Sequence, residues 1–173
     1  MRKVTYGGAI SLDGFLAGPG EAIDWLRYSE DAAKIAAESF RGVDAMLMGR
    51  KTWQFAQKMG GGPPLKGVTT YVFSRTLESV VGGAVLVKEH AAEFVRRMKA
   101  EEGGNILVMG GGEIGSALLE AGLVDEIGFS IHPVLLGGGT PAFTPFARRI
   151  ELELTETRQI GEGCVLARYR VRS

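Results

Sequence analysis

The run Ile106-Leu-Val-Met109 is apolar, is followed at once by Gly110, Gly111 and Gly112, and then gives way to a helical pattern. Few arrangements are open to a chain with that stretch. The run reads as a buried strand. From Glu113 onward, Ile114, Ala117, Leu118 and Ala121 recur at the i, i+3, i+4, i+7 spacing of a helix with one buried face. Gly122 closes that helix. Strand, glycine turn and helix in succession aim free backbone N–H groups and the positive end of a helix dipole at whatever lies above the turn, and anions bind there. A pyrophosphate fits this chemistry. Gly110, Gly112 and Gly115 match G-x-G-x-x-G literally, yet an ordinary dinucleotide unit also wants an acidic residue at the end of the next strand. Here Asp125 and Glu126 open that strand instead. The alternative is a glycine turn that only lets a helix pack closely on a sheet.

The chain has 173 residues, 45% of them hydrophobic, which suits a single domain over 1–173 with a substantial core. Lys plus Arg and Asp plus Glu both count 20, so no net charge favours nucleic acid or an anionic membrane as partner. Cys164 is the only cysteine, which excludes an intrachain disulfide, and His90 and His132 are too few and too far apart to suggest a zinc site. Asp13 interrupts the N-terminal apolar run short of a signal-peptide core, and no stretch approaches membrane-spanning length. A reducing cytoplasm is the expected setting. The 26 glycines exceed the usual share of about 7% and gather where strands end, as backbone approaching a ligand would require.

In order, Val4 to Leu12 reads as a strand, followed by an irregular loop, Asp13-Gly14 through Ala17-Gly-Pro-Gly20 to Asp24-Trp25, with the makings of a flap. Glu30 to Arg41 reads as a helix capped by Ser29, with Ala33, Ala36, Ala37 and Phe40 as its apolar face. Strands are expected at 44–48, 68–73, 85–88, 105–109 and 126–134. Helices are expected from Arg50 and over the Ala91, Phe94, Val95, Met98 face, and loops at Gly60-Gly-Gly-Pro-Pro64 and 136–141. Ile150 to Ile160 and Val165 to Val171 alternate like an antiparallel pair. The whole is an α/β domain: a mixed, mostly parallel sheet flanked by helices, with a C-terminal antiparallel hairpin.

Ligands of such sheets sit beyond the carboxyl ends of the parallel strands. Those ends carry Gly49-Arg50-Lys51-Thr52, Ser74-Arg75-Thr76 and Gly110-Gly-Gly112. Two of them open helices, and two carry an arginine whose planar fork suits phosphate. The inferred ligand has several phosphates; a dinucleotide with an extra phosphate fits best.

Ala9-Ile-Ser-Leu-Asp-Gly14, Met46-Leu-Met-Gly-Arg-Lys-Thr-Trp53, Tyr71-Val-Phe-Ser-Arg75, Val108-Met-Gly-Gly-Gly112, Leu123-Val-Asp-Glu-Ile127 and His132-Pro-Val-Leu-Leu-Gly137 occur in that order. With them the chain resembles the dihydrofolate-reductase-like superfamily, above all stand-alone relatives of the C-terminal reductase domain of the riboflavin-biosynthesis deaminase-reductase. The resemblance implies a dihydrofolate-reductase-like fold, NADPH as hydride donor, a small heterocyclic substrate and a homodimer. It would set Gly49, Arg50 and Thr52 on the phosphate side of the cofactor and Ser74 and Arg75 by its 2′-phosphate. Gly110, Gly111, Gly112, Glu113, Ile114 and Gly115 would run along the pyrophosphate, with a cis peptide between Gly110 and Gly111. Ala9 would offer its backbone to the nicotinamide carboxamide, and the flap from Leu16 onward would cover the ring.

For the substrate end the resemblance offers Glu30 or Asp31 at the start of the first helix, the flap residues Asp13, Asp24 and Trp25, and Ser130. In riboflavin-type reductases a glutamate commonly precedes a glycine-proline turn, whereas here Met109 precedes three glycines, as in folate reductases. That departure speaks against a dedicated enzyme of riboflavin synthesis. The leading expectation is an NADPH-dependent reductase of a pterin- or pyrimidine-like compound. The alternatives are the 5-amino-6-(5-phosphoribosylamino)uracil reductase of riboflavin synthesis, or a nucleotide-binding module without turnover.

Overall fold

The computed structural model describes residues 1–60 and 65–172, so the expected loop at Gly60–Pro64 lies, apart from Gly60, outside the described residues. In chain order the elements are β1 (Val4–Ser11), β2 (Phe15–Ala17), α1 (Glu30–Ser39), β3 (Val43–Gly49), α2 (Arg50–Lys58), β4 (Thr69–Phe73) and β5 (Val85–Val87). Then come α3 (Ala91–Ala100), β6 (Asn105–Met109), α4 (Gly112–Glu120), β7 (Glu126–His132), β8 (Thr140–Pro141), β9 (Leu152–Ile160) and β10 (Cys164–Val171). Among the described residues, eight strands form one sheet in the order β5-β4-β3-β6-β1-β7-β10-β9. All pairings from β5 to β7 are parallel, and β10 joins antiparallel to both β7 and β9. This is the mixed sheet with a C-terminal hairpin that the sequence predicts. Among the described residues no helix is long and apolar enough to cross a membrane.

Strand alternation divides the sheet into two unlike faces. Val4 and Tyr6 of β1, Ala45 and Leu47 of β3, Ile106 and Val108 of β6, and Ile127 and Phe129 of β7 pack with α3 and α4 into the main core. Their neighbours Thr5, Gly7, Ala9, Leu107, Met109, Gly128 and Ser130 face the other way and floor a cleft on the side of α1 and α2. A smaller cluster of Ile35, Ile160, Cys164 and Leu166 ties α1 to the hairpin.

That cluster corrects the expected face of the first helix. Ile35 is its buried residue, while Ala33, Ala36 and Ala37 are exposed and Phe40 is half-buried. An alanine stripe favours a helix but buries little area, so the one large aliphatic side chain decides which side docks. Ser29 does cap the helix, its Oγ accepting from Ala32 N at 3.1 Å. The helix ends at Ser39 rather than Arg41.

The cis bond expected between Gly110 and Gly111 is absent, and among the described residues no peptide bond is cis. The chain turns instead through two successive left-handed residues, Gly110 at φ 61° and Gly111 at φ 68°. Glycine enters that region without a steric cost, so the reversal is made on a trans bond. One pairing gave no signal in the sequence. The short β2 and β8 join antiparallel and, with Ala142 N donating to Gly14 O at 2.9 Å, stitch the flap to the loop after β7.

Candidate functional site

Parallel pairing puts the carboxyl ends of β1, β3, β4, β6 and β7 on one edge of the sheet, and a cleft of about 1190 Å³ opens there and runs down the sheet face. Its upper wall is built from Gly49 to Thr52, Phe73 to Thr76 and Met109 to Ile114. Three separate sequence stretches thus meet in one cavity.

The glycines make the meeting possible. A Cβ on Gly111 would lie 3.3 Å from Gly49 N, so the turns that open α2 and α4 are in van der Waals contact. A Cβ on Gly110 would lie 2.6 Å from Thr52 Oγ1, and one on Gly112 would lie 2.1 Å from the Pro141 carbonyl oxygen. Side chains at these positions would force the two helices and β8 apart. Neither Gly49 nor Gly111 supplies a side-chain cap, and the first intrahelical bond of α4 runs from Gly115 N to Gly111 O at 3.0 Å. The N–H groups of the first turn are therefore left for another acceptor. The joined N-termini form one concave donor surface.

Cations flank it. Arg50 and Arg75 are exposed in the cleft wall, and among the described residues neither is held by a carboxylate; Arg50 has only a long 3.4 Å contact to Gln54. Ser74 Oγ accepts from Thr76 N and Leu77 N at 3.2 and 3.1 Å and lies 3.4 Å from Thr76 Oγ1, which orders the loop carrying Arg75. Such a surface suits a polyphosphate.

Of the cofactor-side residues expected from the sequence, Ala9, Leu16, Gly49, Arg50, Thr52, Ser74, Arg75, Gly110, Gly111, Gly112, Glu113 and Ile114 all line this cleft. Gly115 does not. It faces the core, where a Cβ would sit 2.4 Å from the Tyr6 ring, so its role is to let α4 lie flat on β1. Tyr6 is itself fully buried and donates its hydroxyl to Ala142 O; burial raises its pKa.

The substrate-side expectations scatter. Ser130 lines the cleft, its Oγ 3.4 Å from Gly8 O. Asp13 lies outside it, accepting from Ser11 Oγ at 2.6 Å and from the amides of Leu136 and Gly137 at 3.1 and 2.8 Å. The Ser11 hydroxyl and those amides hold its carboxyl below the usual range. Asp13 is thus a clamp between two loops. Asp24 is exposed outside the cleft, as are Glu30, whose side chain is 94% exposed, and Asp31. Trp25 donates its indole N–H to Ala22 O at 3.0 Å and stands edge-on to His132 at 5.3 Å.

The sequence assigned no site role of their own to His132, Glu21 and Lys51, which also line the cleft. His132 is buried at the end of β7, and its Nδ1 accepts from the flap amide of Arg27 at 3.2 Å. Burial, with the Arg27 charge adding to it, pushes the imidazole pKa down. Glu21 is the one acidic residue of the flap that lines the cleft, and it is bound to Lys51 at the start of α2. The lysine stands in the Gly49–Thr52 strand end that the sequence marks as suited to anions, and its pairing with Glu21 has no local signal.

A profile of the RibD C-terminal domain matches residues 2–166. The chain belongs to that family. Within it, the protein is similar to YyaP of Bacillus subtilis, at 31% identity over 98% of this chain and 95% of YyaP. In structure it resembles a putative riboflavin biosynthesis protein from Shewanella sp. PV-4, at 23% identity and TM-score 0.85 with both chains fully covered. It also resembles the dihydrofolate reductase of Enterococcus faecalis solved with NADP(H), at 17% identity and TM-score 0.72 over 99% of this chain and 97% of that one. The fold of the family is thus dihydrofolate-reductase-like, and its glycine turn lies at the edge where the cleft opens.

Proposed function

We propose that the protein is an NADPH-dependent reductase that delivers a hydride to a small heterocycle of pterin or pyrimidine type. The observation that carries this reading is the junction of two uncapped helix N-termini at Gly49 and Gly111, with Arg50 and Arg75 beside it. The donor set fits a dinucleotide phosphate: backbone amides for a pyrophosphate, and Ser74 with Arg75 for a 2′-phosphate. The cofactor supplies the hydride when bound. Gly49, Arg50, Thr52 and Gly110 to Ile114 would hold its phosphates, Ala9 its carboxamide, and Leu16 would cover the ring from the flap. The Enterococcus reductase solved with NADP(H) supports this choice.

Ser130 is the hydroxyl we assign to the substrate half of the cleft. Asp13 and Trp25 act at a distance by holding the flap, and Asp24 and Glu30 take no part in this reading. Met109 also lines the cleft, and it cannot accept the hydrogen bonds a carboxylate would. We therefore read the substrate as flatter and less polar than a phosphoribosylamino-pyrimidine. We also infer a cytoplasmic homodimer: the edge strand β9 leaves Leu152 and Leu154 exposed, and light scattering in solution tests the dimer.

The deciding experiment follows oxidation of NADPH with a panel of pterins, pyrimidines and quinoid compounds. Turnover of any member is the expected result, and binding without turnover would make the protein a nucleotide-binding module. A kcat/KM above roughly 10⁴ M⁻¹s⁻¹, the lower end of ordinary efficiency, on the riboflavin intermediate would overturn the inference from Met109.

A further inference from the structure

Glu21 ends a one-turn segment, Pro19–Glu21, at φ 63°, and with Glu162 it is one of two non-glycine residues with positive φ among those described. A side-chain-bearing residue resists that conformation, and it persists only where the surroundings impose it. Here the backbone imposes it, Glu21 N donating to Gly18 O at 3.1 Å and Gly18 N to Ala22 O at 2.8 Å, and two side-chain contacts then fix the carboxylate. Glu21 Oε1 accepts from Lys51 Nζ at 3.1 Å, and Thr140 Oγ1 donates to the same carboxylate at 3.3 and 3.2 Å. Lys51 is the second residue of α2, and Thr140 precedes the Pro141 carbonyl that abuts Gly112. The carboxylate of the flap is therefore fastened to both sides of the joined helix N-termini.

An oxyanion that takes hydrogen bonds from a lysine and a hydroxyl, in a cleft walled by uncapped helices, stands where a phosphate oxygen would bind. We propose that Glu21 is a built-in occupant of this anion site. It competes with the phosphates of the ligand for Lys51, and its displacement releases the flap. This rests on the reading of the cleft as a phosphate site. The side chains of Lys51 and Glu21 are 64% and 44% exposed, and pairs that exposed are weak, which suits a contact a ligand must displace. The flap would then be fastened in the empty protein and freed as phosphate enters.

Glu21→Gln keeps the shape and the acceptor for Thr140 but removes the charge. It should tighten NADPH and inorganic pyrophosphate about two- to fivefold, the range for an exposed pair. In a Lys51→Ala background the same substitution should change neither. Glu21→Gly, which also relieves the backbone, should behave like Glu21→Gln. Hydrogen exchange adds a second measurement: pyrophosphate should speed exchange of the amides at 17–23 in the natural protein, whereas in Glu21→Gln they are fast from the start. Unchanged or weaker binding by Glu21→Gln overturns the proposal. So does equal tightening with and without Lys51, which would be a field effect of the charge. Failure of pyrophosphate to alter flap exchange also overturns it. If pyrophosphate binds as described but NADPH does not, the displaced carboxylate stands and the reductase reading falls.

Discussion

Two pairs of helices in this protein begin in opposite ways. Helices α1 and α3 are closed by their own sequence: Ser29 Oγ accepts from Ala32 N, and His90 Nδ1 accepts from Ala92 N at 3.3 Å. Helices α2 and α4 begin at Gly49 and Gly111, with no side chain on their first amides. Capping is worth about 1 kcal/mol per helix. Leaving α2 and α4 open forgoes that stability at the edge of the sheet where a ligand could supply the acceptor. The difference sets helices that close their own first turn apart from helices whose first turn is left open towards the cleft.

Giving α2 a cap breaks the comparison most sharply. Gly49 has φ −78°, and the nearest atom to an added Cβ is Ile114 Cδ1 at 3.6 Å, so Gly49→Asp fits. The new carboxylate would satisfy the free amides and repel phosphate. Each charge-assisted bond lost is worth about 1.5–3 kcal/mol, so NADPH affinity should fall about 100-fold while the melting temperature holds or rises. Unchanged affinity by calorimetry would remove the α2 terminus from the site.

Arg75→Ala tests the margin of the same surface. Loss of one charge-assisted contact should weaken NADPH about tenfold and leave NADH nearly unchanged. Equal losses in parallel titrations would show that Arg75 does not read the 2′-phosphate.

On the capped side the expected effect is smaller and of a different kind. Ser29→Ala should lower unfolding stability by about 1 kcal/mol, seen as an earlier denaturant midpoint, with cofactor affinity untouched. A loss of affinity would mean that α1 serves the site after all.

The smallest effect concerns a flap amide that a side chain accepts much as a cap would. His132 takes the Arg27 N–H on Nδ1 and must be neutral there to do so. Its folded pKa lies below the ordinary 6.5 because it is buried and near Arg27. The unfolded chain thus binds the proton more readily, and the histidine's contribution is complete above that pH and lost as pH falls through the folded value. His132→Asn keeps an acceptor that does not titrate, so stability curves of the two proteins should diverge only on the acid side. Parallel curves would assign the acid sensitivity to other groups, among them Asp13, whose depressed pKa acts in the same direction but at lower pH.

Much of the cleft's lining was legible because it is backbone chemistry. Glycines at Gly49 and Gly110 to Gly112, set between an apolar run and a helical pattern, announce open helix N-termini whatever the surrounding contacts. Arg50, Ser74 and Arg75 were found by their place at strand ends. The direction in which side chains point was not legible. Glu30 opens the first helix as expected yet is turned to solvent, and Gly115 completes a cofactor-like motif yet serves to seat α4 on Tyr6. Asp13 marks a turn but works as a clamp on Leu136 and Gly137, more than 120 residues away in the chain.

By itself, then, the sequence determined the order of strands and helices, the glycine-rich edge where the cleft opens and the two helices left uncapped. Periodicity, glycine and capping chemistry act within a few residues, so they are written locally. Only the tertiary structure decided that Ile35 rather than the alanine stripe docks α1 and that β2 pairs with β8. It also decided that Glu21, Lys51 and Thr140 meet across the cleft. Each of these depends on which surfaces the packed sheet brings within a few ångströms, and no local pattern encodes that distance.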